Sequence, residues 1–141
     1  MIVKSATDFV KEAKQEIENL TPLQVYGELL NGNCTIIDIR ESDELISNGK
    51  IAGSVHAARG MLEFYADPSQ PYHRVAFDPD KRIILQCASG GRSALAVKML
   101  KQMGYNNVAH LDGGLKAWKE AGLPVSEQDD RHLCNERISA T

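Results

Sequence analysis

Long apolar runs are absent from the 141 residues. Nothing approaches the roughly 18 consecutive apolar residues that suggest a membrane-spanning helix. The opening segment, MIVKSATDFVKEAKQEIENL, has neither an apolar centre nor a small-residue cleavage site, so a secretory leader is not expected. Cysteine is scarce and odd in number: Cys34, Cys87 and Cys134, with no Cys-x-x-Cys pair. A disulfide framework and a structural zinc site are therefore not expected, and the default compartment is reducing and cytoplasmic. A basic excess is missing too. Sixteen Lys and Arg against nineteen Asp and Glu give a net charge of −3, the wrong balance for a general nucleic-acid binder. Neither GxGxxG nor GxxxxGK[ST] occurs, so a nucleotide cradle is not expected.

What is present suits an ordinary folded domain. Hydrophobic residues make up 43% and charged residues 25%, which excludes disorder, collagen and coiled coil as whole-chain readings. A chain near 150 residues buries about 68–70% of its unfolded surface and needs no staple to hold a core. We expect an N-terminal amphipathic helix within residues 1–20, part of or packed on the domain. One α/β domain is expected over 21–125, followed by a polar tail over 126–141.

Ala6, Phe9, Val10, Ala13, Ile17 and Leu20 recur at helical spacing, which predicts a helix over 5–20 capped by Ser5 or Thr7. Thr21-Pro22 opens a second helix, and Asn31-Gly32-Asn33 ends it. Short β-branched runs predict buried strands at 34–40, 82–87 and 107–111, with a further short strand within 51–55. Helices are predicted around 42–48, after Ser93, and through Trp118 to Ala121. Residues 56–80, with Pro68, Pro71 and Pro79, read as a long connection containing one helix near 61–65. Strands alternating with helices imply a mainly parallel sheet with helices on both faces. Ligands bind such sheets beyond the carboxyl ends of the strands, here Asp38–Arg40, Cys87 and Leu111–Asp112.

The segment Gln86-Cys87-Ala88-Ser89-Gly90-Gly91-Arg92-Ser93 carries the chemistry. A cysteine ends a buried strand, and a two-glycine loop leads straight into a helix. The glycines let several N–H groups point inward, and the helix start adds free donors and partial positive charge. In such settings a thiol ionises more readily than a free one, and the thiolate is the nucleophile. The same cradle would receive an oxyanion. Cys87 is the candidate nucleophile; Ala88, Ser89, Gly90, Gly91, Arg92 and Ser93 are the candidate substrate-binding residues. Arg92 adds a permanent charge and a planar donor fork. The blander reading, a small buried residue closing a strand, leaves the adjacent SGGRS without a purpose.

Four segments in order resemble the single-domain rhodaneses, a sulfurtransferase family. Thr35-Ile36-Ile37-Asp38-Ile39-Arg40-Glu41 is similar to the family's strand ending in Asp-x-Arg. Gly49-Lys50-Ile51-Ala52-Gly53-Ser54-Val55-His56 is similar to its Gly-His-Ile-Pro-Gly-Ala stretch, with Lys50 where histidine is usual and Ala52 and Ala58 where prolines are common. Cys87 to Ser93 resembles the active loop. Leu111-Asp112-Gly113-Gly114-Leu115-Lys116-Ala117-Trp118 with Gly122-Leu123-Pro124 resembles the C-terminal signature. The resemblance runs from about Leu20 to Val125. It implies a rhodanese-like three-layer α/β fold, with Cys87 accepting sulfur from thiosulfate or a persulfide. Cyanide or a thiol, a protein thiol included, would then take that sulfur from Cys87. No metal or organic cofactor is implied, and from the charge balance and the lack of a long apolar run neither a nucleic-acid nor a membrane partner is expected.

Other residues are weaker candidates. Asp38 and Arg40 more readily tie a strand end to a loop than touch substrate, and Arg59 could steer an anion. His56, His73, His110 and His132 are scattered and assign no Cys–His protease pattern. Trp118 and Cys34 read as core residues, and Cys134 as a tail thiol with no assigned role. Two other functions compete. One is phosphate or arsenate chemistry: the cell-cycle dual-specificity phosphatases share the fold and place five residues between cysteine and arginine, whereas four separate Cys87 from Arg92. The other is a non-catalytic binding module, against which the presence of Cys87 argues.

Overall fold

The structure, a computed structural model, describes residues 2–127. His132 and Cys134, with the expected polar tail beyond residue 127, lie outside the described residues. Ser5 caps the first helix, α1 (Ala6–Glu16), by accepting the N–H of Asp8. Thr21 and Gln24 form a reciprocal capping box at the start of α2 (Pro22–Leu30), with proline at its opening position. Strand β2 (Thr35–Asp38) and α3 (Ser42–Asn48) follow, then β3 (Val55–His56) and a 3-10 turn at Arg59–Met61 running into α4 (Leu62–Ala66). The chain closes with β4 (Ile83–Gln86), α5 (Gly91–Gln102), β5 (Val108–Leu111) and α6 (Gly114–Glu120).

The helix expected over 5–20 is shorter than its periodicity suggests. It stops at Glu16, and Glu18–Leu20 form an unexpected strand, β1. The apolar repeat reaches Leu20, but that side chain is buried in a cluster with Val25, Ala109, Leu111 and Trp118 instead. Pairing of β1 with β5 overrides the local helical pattern. The strand expected within 51–55 begins only at Val55, because a turn with Gly53 at φ +85° occupies the preceding residues.

The five strands form one parallel sheet in the order β1-β5-β4-β2-β3. Ile37, Leu85, Cys87 and Val108 face one side, packing with Leu62 and Ala66 of α4 and Ala96, Val97 and Leu100 of α5. Ile36, Ile84, Ala109 and Leu111 face the other, packing with Val25 of α2 and Leu115 and Trp118 of α6. Helix α1 lies against α5. The architecture is therefore the expected α/β sandwich with helices on both faces, and Cys87 follows the central strand β4 at the sheet's carboxyl edge. Trp118 is fully buried, and its indole N–H donates to Pro124 O at 2.8 Å. Among the described residues no helix is long and apolar enough to cross a membrane.

Candidate active site

Cys87 follows the last residue of β4, and its side chain is only 1% exposed. The backbone turns back around its sulfur. Gly90 N–H donates to Cys87 Sγ at 3.2 Å and Ser93 N–H at 3.4 Å. Gly90 sits at φ +101°, a conformation L side chains rarely adopt, and this aims its N–H inward. Both donors belong to the start of α5, whose free N–H groups and partial positive charge stabilise negative charge on sulfur. A second helix braces the loop from outside: Leu115 N–H donates to Cys87 O at 2.9 Å and Lys116 N–H to Ala88 O at 3.0 Å. That close approach needs Gly114, where an added Cβ would lie 2.5 Å from Cys87 O.

Ser93 is fully buried, and its hydroxyl stands 3.5 Å from Cys87 Sγ. On its other side lies His110 Nδ1, 3.0 Å away. His110 is in turn 2.7 Å from Asn19 Oδ1 through Nε2. Sequence reading missed His110 and Asn19, which strand pairing alone brings to the loop. His110 shares the Leu85 register on β5, hence the sheet face of Cys87.

Arg92 does not stand free at the mouth. Its guanidinium grips the carboxylate of Glu44 in α3 with two bonds, 2.7 and 2.8 Å. The pairing holds the Glu44 carboxyl down at about 2 and pushes Arg92 further up. Glu44, which sequence reading did not single out, thus ties α3 to the start of α5.

Asp38 and Arg40 form a buried ion pair, with Nε to Oδ1 at 3.0 Å and Nη2 to Oδ2 at 2.7 Å. Arg40 Nη2 also donates to Gly49 O at 2.8 Å, and the Arg40 carbonyl lies 2.7 Å from His56 Nε2. These contacts join the end of β2 to the loops around it. Arg59 pairs with Glu63 at 3.0 Å, one helical turn on. His73 Nε2 lies 3.1 Å from Phe77 O. Lys50 is buried and donates to Ser54 O at 3.0 Å. Cys34 is half-buried, and burial, with Glu28 nearby, pushes its thiol up. Among the described residues no group of three or more His, Cys, Asp or Glu could hold a metal ion.

A cysteine cradled by the amides of a Gly-Gly turn, on a five-stranded parallel sheet of this order, defines a class, and comparison with known proteins specifies it. Residues 21–121 match the rhodanese-like domain model, and the chain belongs to that family. A thiosulfate sulfurtransferase GlpE of Actinobacillus succinogenes is 26% identical over 106 residues, 75% of this chain and 87% of its own length. A sulfurtransferase of Allochromatium vinosum is 31% identical over 64% of this chain and 76% of its own. The polysulfide-sulfur transferase homodimer of Wolinella succinogenes has a similar structure: TM-score 0.69, 33% identity, 89% of this chain and 90% of that one. A Rhodopseudomonas palustris structure, described as a protein of unknown function and possible tyrosine phosphatase, gives TM-score 0.84 at 41% identity, covering 89% and 97%.

Proposed function

We propose that this chain is a sulfurtransferase that carries sulfane sulfur on Cys87. One observation bears the most weight: a single buried Sγ at the end of β4 receives two backbone N–H groups from a turn that opens a helix. In the donor step the Cys87 thiolate attacks the outer sulfur of thiosulfate. The S–S bond breaks, sulfite leaves with the electron pair, and Cys87 keeps the sulfur as a persulfide. In the acceptor step cyanide or a thiolate attacks the terminal sulfur, and the Cys87 thiolate leaves. Donors fixed in place stabilise the anion on each side of both steps without reorganising. The relatives named sulfurtransferases support this reading.

Phosphatase chemistry is the second reading, favoured by the description of the Rhodopseudomonas relative; arsenate reduction would use the same cradle. The loop argues against both. Only four residues separate Cys87 from Arg92, and the Arg92 fork is taken up by Glu44 instead of being turned toward a tetrahedral oxyanion. The test assays the protein and its Cys87→Ser variant with thiosulfate plus cyanide, and with an aryl phosphate. The expected result is sulfur transfer that needs Cys87 and no phosphate release. Brisk Cys87-dependent phosphatase turnover would overturn the assignment.

A further inference from the structure

His110 has no part in the reading above, yet both of its ring nitrogens are engaged beneath the active loop. The orientation of Asn19 decides which nitrogen carries the proton. Asn19 Nδ2 donates to the carbonyls of Lys14 at 2.8 Å and Ile17 at 3.2 Å, so its oxygen faces the ring. Nε2 is therefore the protonated nitrogen, and Nδ1 is a bare acceptor. Burial pushes His110 down to about 4 and so keeps it neutral. The charges acting on it are Asp112 beyond β5, which pulls it up, and Lys14 of α1, which pushes it down. The Ser93 hydroxyl also lies 3.3 Å from Gly90 O, but that carbonyl already accepts the Ala94 N–H, so the bare, buried Nδ1 at 3.0 Å claims its one hydrogen. The lone pairs of Ser93 Oγ are then left for Cys87 Sγ, 3.5 Å away.

We infer that Asn19 and His110 are positioning residues that act through Ser93 to disfavour the bare Cys87 thiolate. They favour the two states in which Sγ bears a second bond, the thiol and the persulfide. The inference rests on the reading of Cys87 as a sulfur carrier. In the thiol, S–H donates to Ser93 Oγ and Ser93 donates to His110, so every group is satisfied. When the thiol releases its proton to water, the one hydrogen of Ser93 faces three acceptors, of which Gly90 O already holds the Ala94 N–H, so the competition lies between His110 Nδ1 and Cys87 Sγ. Either the hydroxyl turns to sulfur and leaves Nδ1 unpaired, or it stays and the thiolate keeps only the two backbone donors. Each arrangement loses one hydrogen bond, and an unpaired buried acceptor is penalised. In the persulfide Sγ is covalently bonded and the charge lies one atom further out, so Ser93 stays on His110 without conflict.

The test measures thiolate directly, with no sulfur donor present. Iodoacetamide alkylation of Cys87 is followed by mass spectrometry across pH in the wild type, Asn19→Ala and His110→Phe. Asn19 is exposed, so its alanine variant spares the core, and it releases His110 to the other tautomer. In that tautomer Nδ1–H donates to Ser93 and frees the hydroxyl for sulfur. Both variants should alkylate about 2- to 10-fold faster than wild type on the acid side of the profile, the span of one net hydrogen bond, and converge with it at high pH. In a Ser93→Ala background neither substitution should matter. An unchanged or slower rate in folded Asn19→Ala would overturn the inference, as would equal acceleration without the Ser93 hydroxyl. If His110→Phe does not fold, Asn19→Ala carries the test. Because no sulfur is transferred, failure here leaves the sulfurtransferase reading intact. Failure of that reading would show instead as absent sulfur uptake.

Discussion

On the proposed function, Arg92 and Glu44 together would set how strongly the mouth of the cradle attracts an anion. A charged contact to an anion is worth roughly 1.5–3 kcal/mol, but here the guanidinium already holds a carboxylate. Arg92→Ala should therefore raise the KM for thiosulfate by no more than about tenfold, the lower end of that range. Glu44→Gln, which removes the neutralising charge, should lower it. Steady-state kinetics on both variants checks this; an unchanged KM in both would place Arg92 outside donor binding. The pair also predicts a pH effect. Glu44 is held at about 2 against an ordinary 4.5, so its contribution is present above about pH 4.5 and fades as pH falls toward 2. Both side chains are partly exposed, so solvent screening limits it to about 1 kcal/mol or less. Acid denaturation of Glu44→Gln should be flatter across that window by this amount. Among the thiols, Cys34 has its ionisation opposed by burial and no cradle beside it. Cys34→Ser should keep most of the activity that Cys87→Ser abolishes, as read by cyanide-dependent sulfur release.

At the scale of elements, two helices and one strand end converge on the loop and fix its backbone through hydrogen bonds. Gly114, at φ +61°, lets α6 deliver its N–H groups to Cys87 O and Ala88 O. Gly114→Ala combines backbone strain with a clash against main chain, and should destabilise by roughly 2–4 kcal/mol in chemical denaturation. Asp38→Asn leaves Arg40 buried with a weakened partner, and breaking a buried pair costs about 3–5 kcal/mol. Strands β2, β4 and β5 were legible because buried parallel strands read as β-branched runs between turn residues. Strand β1 was not: its three residues continue the helical period of α1, and only pairing with β5 makes them a strand. Helix starts at Ser5 and Thr21 were legible from their own side chains, since capping is local.

For the whole molecule, the parallel sheet brings residues distant in sequence to one edge. The candidate nucleophile and its loop were legible because they lie in eight consecutive residues, Gln86 to Ser93. Glu44, His110 and Asn19 were not, since each reaches the loop through tertiary packing: Glu44 from α3, His110 from the neighbouring strand, Asn19 from the sheet's edge strand. Burial of Cys87 at the centre of that edge gives one thiol a position that Cys34 lacks. The central claim is that this thiol carries the sulfur. The direct measurement is the intact mass of the protein before and after thiosulfate, with fragmentation to place any added mass. The account predicts a gain of one sulfur atom on the peptide containing Cys87, removed by cyanide and absent from Cys87→Ser. No gain, or a gain retained in Cys87→Ser, would contradict it.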